Sequence, residues 1–164
     1  MTTTSSTATN PWTATVLDAI GGTPLVRVDD IWVKLEFLNP SGSIKARLAR
    51  YMIERAEREG LLRPGDTIVE ASSGNTGNAM SMVAAVKGYR MVVVMPDGMS
   101  PERAAISRAF GAEVMTIGDF HVNDALARAS FTWNSPMVWT SAPKAREIAT
   151  RSGLIPFGIT TSIR

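Results

Sequence analysis

The chain has 164 residues, 45% of them apolar and 20% charged, the balance of a globular protein with enough length for one real core. It contains no cysteine, which excludes disulfides, thiolate metal sites and a thiol nucleophile. Residues 1–129 carry a net charge of −1 and residues 130–164 a net charge of +3. The basic character therefore belongs to the tail and gives no clustered face for nucleic acid.

The first ten residues, "MTTTSSTATN", lack the charged and apolar regions of a signal peptide and read as a flexible polar tail. No apolar run is long enough to cross a membrane. A cytoplasmic location is the expectation, with neither membrane nor nucleic acid as partner. From there, apolar runs bounded by turn residues alternate with helical patterns. Residues 24–28 and 31–37 read as short strands around an Asp-Asp turn. A helix is expected from Ser43, with Ile44, Leu48, Met52 and Ala56 on its apolar face. Residues 67–71 form a strand, 72–77 a glycine-containing turn, and Ala79, Met80, Val83 and Val86 mark a second helix that stops at Gly88. Residues 89–95 have the continuous apolar character of a buried parallel strand. Ser100, Pro101 and Glu102 make a good helix start, with a capping hydroxyl, and that helix stops at Gly111. A strand over 112–117 follows. A helix over 122–129 completes the series, with Asn123 as its cap.

Repeated strand–helix order implies an α/β fold, a parallel sheet with flanking helices. Ligands of such sheets bind at the carboxyl ends of strands, and the loops 39–45 and 71–77 both appear in that position. After about residue 130 the alternation stops. Residues 130–164 hold ten Ser or Thr, two of the four Trp and three Pro, and read as a divergent, irregular tail.

Two stretches could carry chemistry. In "NPSGSIKARLA" (39–49), Lys45 sits at a helix start, where the positive end of the dipole favours the neutral amine over the ammonium. The neutral amine is the form that attacks a carbonyl. Only four lysines occur against thirteen arginines, and arginine cannot do this chemistry. In "SSGNTG" (72–77), two glycines allow a tight turn. The hydroxyls of Ser72, Ser73 and Thr76, the Asn75 amide and the following helix N–H groups suit a carboxylate or phosphate. An ordinary capped strand–helix turn would look the same. His121, the only histidine, reads as a surface or capping residue. No metal site is expected. Met80, Met91 and Met95 read as core, and Arg103 and Arg108 as a solvated helix face.

"IGGTPLVRV" (20–28), "VKLEFLNPSGSIKARLA" (33–49), "IVEASSGNTGNA" (68–79) and "MPDGMSPERAAISRAFGAEV" (95–114) resemble, in order and spacing, the motifs of fold-type II enzymes that use pyridoxal 5′-phosphate. The closest likeness is to the cysteine synthase and cystathionine β-synthase branch. The resemblance implies that Lys45 holds the cofactor as an internal aldimine and later moves the α-proton. It implies that Ser72, Ser73, Asn75 and Thr76 grip the substrate carboxylate, and that Asn75 also bonds the cofactor's 3′-oxygen. The implied reaction is β-replacement on an O-activated serine by a sulfur nucleophile.

Ala46 replaces the family's usual acid, and Ala71 stands where proline is common. The family's second half supplies a glycine-rich phosphate cup, and nothing after Gly118 resembles it. The chain thus reads as the N-terminal half of a two-domain enzyme: a tail (1–10), an enzyme-like α/β region (11–129) and a divergent tail (130–164). Three functions are compatible: a cysteine synthase-type enzyme, an impaired remnant or partner-dependent half, and a serine or threonine dehydratase. The wording of residues 34–49 favours the first over the third. Expected partners are a small amino-acid substrate and either a second copy or a complementing chain.

Overall fold

The computed structural model describes residues 15–118. The expected 122–129 helix with its Asn123 cap, His121 and the 130–164 tail lie outside the described residues. Two sheets form. Strands β1 (Leu25–Val28) and β2 (Ile31–Lys34) pair antiparallel. Strands β3 (Thr67–Ala71), β4 (Arg90–Pro96) and β5 (Glu113–Ile117) form a parallel sheet in the order β3-β4-β5. Helix α1 spans Lys45–Arg58, α2 Asn75–Lys87 and α3 Pro101–Ala109. The α/β class is the one expected.

The hairpin closes through Asp29 and Asp30, with Val28 opposite Ile31. Asp29 takes a φ of +52°, a left-handed conformation that short hairpin loops demand and that aspartate tolerates better than most residues. Arg27 steadies the turn by donating to the Asp29 carbonyl and to the Asp30 carboxylate. The second strand was expected to reach residue 37, but β2 ends at Lys34 and a 3₁₀ turn occupies Glu36–Leu38. Loop 39–44 therefore follows that turn and not a strand, contrary to expectation. The polar contacts of Glu36, described below, fold the backbone back here.

Helix α1 begins at Lys45, two residues later than expected, with Ile44 at the cap position and the Lys45 N–H donating to the Ser43 hydroxyl oxygen at 3.2 Å. Its buried face is Ala46, Ala49, Met52, Ile53 and Ala56. Ile44 points outward, 54% exposed, and Leu48 is only half-buried. The expected apolar stripe is thus displaced, because small alanines allow close packing of α1 against α2 and take the inner positions.

Helix α2 is the centre of the unit. Residues 77–84 are all buried, since α2 packs against α1, α3 and β4. A helix apolar all round has to be enclosed in this way. Val86, expected inside, is exposed at its far end. Met80, Met91 and Met95 are core residues as expected. At Gly88 a left-handed φ of +76° ends α2. Helix α3 begins at Pro101, but the Ser100 hydroxyl caps no backbone N–H there, contrary to expectation.

Candidate functional site

Lys45 stands at the first turn of α1, half-buried, with no acidic residue in that turn. Its amine differs from the other lysines of the described residues. The Lys34 ammonium donates to the Thr23 carbonyl, and the Lys87 ammonium pairs with Glu57 at 2.7 Å. No hydrogen bond or ion pair engages the Lys45 amine among the described residues.

The loop before Lys45 is built by a carboxylate. Glu36 Oε1 accepts from the Thr23 hydroxyl at 2.6 Å and from Arg47 at 3.0 Å. Glu36 Oε2 accepts from Arg47 Nε and from the Asn39 amide, both at 2.9 Å. The Asn39 amide also donates to the Glu36 carbonyl, and its oxygen accepts the Gly21 N–H. Bonds from Arg47, then from Thr23, hold the Glu36 carboxyl down at about 2. This charge-assisted bidentate arrangement is the strong form of a hydrogen bond. Gly42 in the loop has a φ of +74°, which only glycine adopts readily.

Ser72, Ser73, Asn75 and Thr76 lie together where β3 runs into α2. Their placement refines the sequence reading. Asn75 and Thr76 belong to the first turn of α2, not to the turn before it. The Ser72 hydroxyl oxygen accepts from Gly77 N–H at 3.0 Å and from Gly74 N–H at 3.3 Å, so it caps the helix. The Asn75 and Thr76 N–H groups have no backbone or side-chain acceptor among the described residues. They are the donors left for an anion. Gly77 is needed for packing: a Cβ there would lie 3.1 Å from Val93 Cγ1 and 3.3 Å from Ser72 Cβ.

Arg103, read from sequence as solvated, donates from α3 to the Ser73 carbonyl at 3.2 Å. It ties the loop to a third element. No hydrogen bond joins Lys45 to this loop among the described residues, although α1 and α2 pack together. The roles of Glu36, Asn39, Thr23 and Arg103 were not read from the sequence. The available signal was an acid and an arginine eleven positions apart, on either side of a Pro-Ser-Gly turn.

An open parallel sheet with a donor-rich turn at the carboxyl end of a strand, and a lysine at a neighbouring helix start, defines an α/β ligand-binding unit. Residues 16–140 match the family described as pyridoxal-phosphate dependent enzyme, and the chain belongs to that family. Cysteine synthase B of Salmonella typhimurium is 51% identical over 111 residues, covering 63% of this chain and 37% of that protein. A hydrogen sulfide-producing enzyme from Fusobacterium nucleatum has a solved structure with a TM-score of 0.70 and 42% identity, covering 75% of this chain and 44% of that one. O-ureido-L-serine synthase gives a TM-score of 0.64 at 38% identity, covering 86% of this chain and 42% of that one. The chain spans 37% of the length of that Salmonella cysteine synthase and 40% of the length of a Staphylococcus aureus one.

Pyridoxal 5′-phosphate, the family's cofactor, presents an aldehyde and an anionic phosphate. The residues present fit its aldehyde end, because no other group among the described residues engages the Lys45 amine. No helix among the described residues is long and apolar enough to cross a membrane.

Proposed function

We propose that residues 15–118 form the lysine-bearing and carboxylate-gripping part of a cysteine synthase-type site. The observation that carries this reading is Lys45: an unengaged amine on a braced loop, within a chain about half identical to cysteine synthases over the same region. Bound cofactor supplies an electron sink for the substrate α-carbon. Lys45 would hold the cofactor through its amine, and the same amine would carry the α-proton of the substrate. The N–H groups of Asn75 and Thr76, with the Ser73 and Thr76 hydroxyls, bind the carboxylate of an O-activated serine. Ser72 shapes the turn by capping α2. Asn75 orients the cofactor ring. A sulfur nucleophile then replaces the β-substituent.

The cofactor phosphate needs a cradle that the resemblance assigns to the second half of the family's fold. We infer that a complementing polypeptide equivalent to that half completes the site. The exposed apolar residues of the hairpin, Leu25 and Trp32 on one face and Val28 and Ile31 on the other, support this. Hairpins of two strands are marginal alone and need a covering layer.

The test is titration of the purified chain with pyridoxal 5′-phosphate, borohydride reduction and peptide mapping. The expected result is a visible absorbance band and a reduced adduct on Lys45, both lost in Lys45→Ala. A colourless chain without adduct would overturn the reading. Cysteine formation from O-acetylserine and sulfide is expected on co-expression with the remaining part of a cysteine synthase. Keto-acid release from serine or threonine alone would favour the dehydratase instead.

A further inference from the structure

We propose that Glu36 is a positioning residue, the centre of a clasp that fixes the loop carrying Lys45 and so directs the lysine amine at its aldehyde. The inference rests on the reading of Lys45 given above. Four side-chain donor contacts from three parts of the chain converge on this one carboxylate. Thr23 precedes the hairpin, Asn39 opens the loop, and Arg47 lies in the first turn of α1, two residues beyond Lys45. Loop 39–44 is therefore pinned on both sides of its Ser-Gly-Ser centre.

The clasp is also closed sterically. Gly21 sits at a φ of +95°, and a Cβ there would come within 3.0 Å of the Arg47 guanidinium. Its N–H is the donor taken by Asn39 at 3.0 Å. The guanidinium reaches Thr23 as well as Glu36, so removing the carboxylate takes a contact from each end of the loop and leaves only the Arg47–Thr23 bond and the Asn39 bonds to the Glu36 carbonyl and the Gly21 N–H. Asn39 and Thr23 are buried, and the Glu36 side chain is only 16% exposed. Three exposed ion pairs elsewhere would not have this effect, because each joins neighbours on one element or one sheet.

The test uses the whole chain and two readouts. In the first, pyridoxal 5′-phosphate is condensed with the protein amines, water leaving as each C=N bond forms. Borohydride then delivers hydride to give a secondary amine, and mass spectrometry assigns the adduct among Lys34, Lys45, Lys87 and Lys144. In the second, amide hydrogen exchange is followed in the cofactor-free chain. Wild type is expected to trap at Lys45. Glu36→Gln and Thr23→Val are expected to slow trapping at Lys45 roughly ten- to a hundredfold, the scale of a misplaced reacting group. They should also speed exchange over residues 39–46, leaving β3 to β5 unchanged. Thr23→Ser, which keeps the hydroxyl, restores both. Glu59→Gln, which removes an acid from the outer end of α1, changes neither. Trapping and loop exchange unchanged in Glu36→Gln would overturn the clasp. If wild type fails to trap at Lys45, the functional reading falls, and unchanged loop exchange in the same variant would separately remove the clasp.

Discussion

Glu36 shows how much a single ionised group can organise. Its carboxyl is lowered from the usual 4.5 to about 2, first by Arg47 and then by Thr23. A group with a depressed native value stabilises the fold fully above its unfolded value and loses that contribution as the pH falls through its native value. The stability difference between wild type and Glu36→Gln should therefore be constant above about pH 5. It should shrink between pH 4.5 and about 2, as read by melting temperatures across a pH series. Gly77 makes a steric prediction. Alanine would normally gain about 1 kcal/mol in a helix. Here the added methyl must displace Val93 and Ser72, and overpacking costs about 1–3 kcal/mol. Gly77→Ala should be net destabilising by about 1 kcal/mol in urea titration. Ser72→Ala removes the acceptor of two backbone N–H groups and should cost about 1 kcal/mol.

At the scale of elements, the pattern of apolar runs located β3, β4, β5 and the cores of α1, α2 and α3, because each has either a continuous buried run or a clean stop signal. Gly88 and Gly111 ended their helices as left-handed glycines should. The inner face of α1 was harder to read. Alanine carries little hydrophobic signal, so Ala46 and Ala49 were passed over for the louder Ile44 and Leu48, while Met52 and Ala56 lie inside as expected. Asn75 and Thr76 enter α2 on a turn closed locally by the Ser72 hydroxyl. The end of β2 depends on Glu36 side-chain bonds to residues eleven and thirteen positions away, which spacing does not encode. The same is true of Arg103, whose partner is thirty positions away. The placement of Lys45 at a helix start and of residues 72–76 where β3 meets α2 was legible because turn and helix signals coincide in one short segment. The α2–α3 contact supplies a further test. The Ser107 hydroxyl donates to Asn78 at 2.8 Å, and both residues are buried. Ser107→Ala leaves that amide oxygen without its donor and should cost about 1–3 kcal/mol, measurable by chemical denaturation.

Across the whole molecule, the parallel unit and the hairpin differ in how they meet solvent. Strands β3 and β4 are enclosed, whereas Ile31 is 68% and Trp32 62% exposed. Apolar patches of this kind drive association. Sedimentation velocity should show concentration-dependent self-association of the chain that falls in Ile31→Lys and Trp32→Lys, with unchanged melting of the parallel unit. The two sheets also differ in the loops their pairing closes. Hairpin partners lie at most nine positions apart, and partners in the parallel sheet more than twenty. Closing long loops is slow relative to local pairing. On the ribosome, the segment from Gly21 to Arg47 can close its turn, hairpin and carboxylate contacts before β4 has been synthesised. Helix α2 has to wait, because its Gly77 packs on Val93 of that strand. The chain thus assembles its lysine loop early and its anion-gripping turn late, an order in time set by where each one's packing partner lies along the sequence.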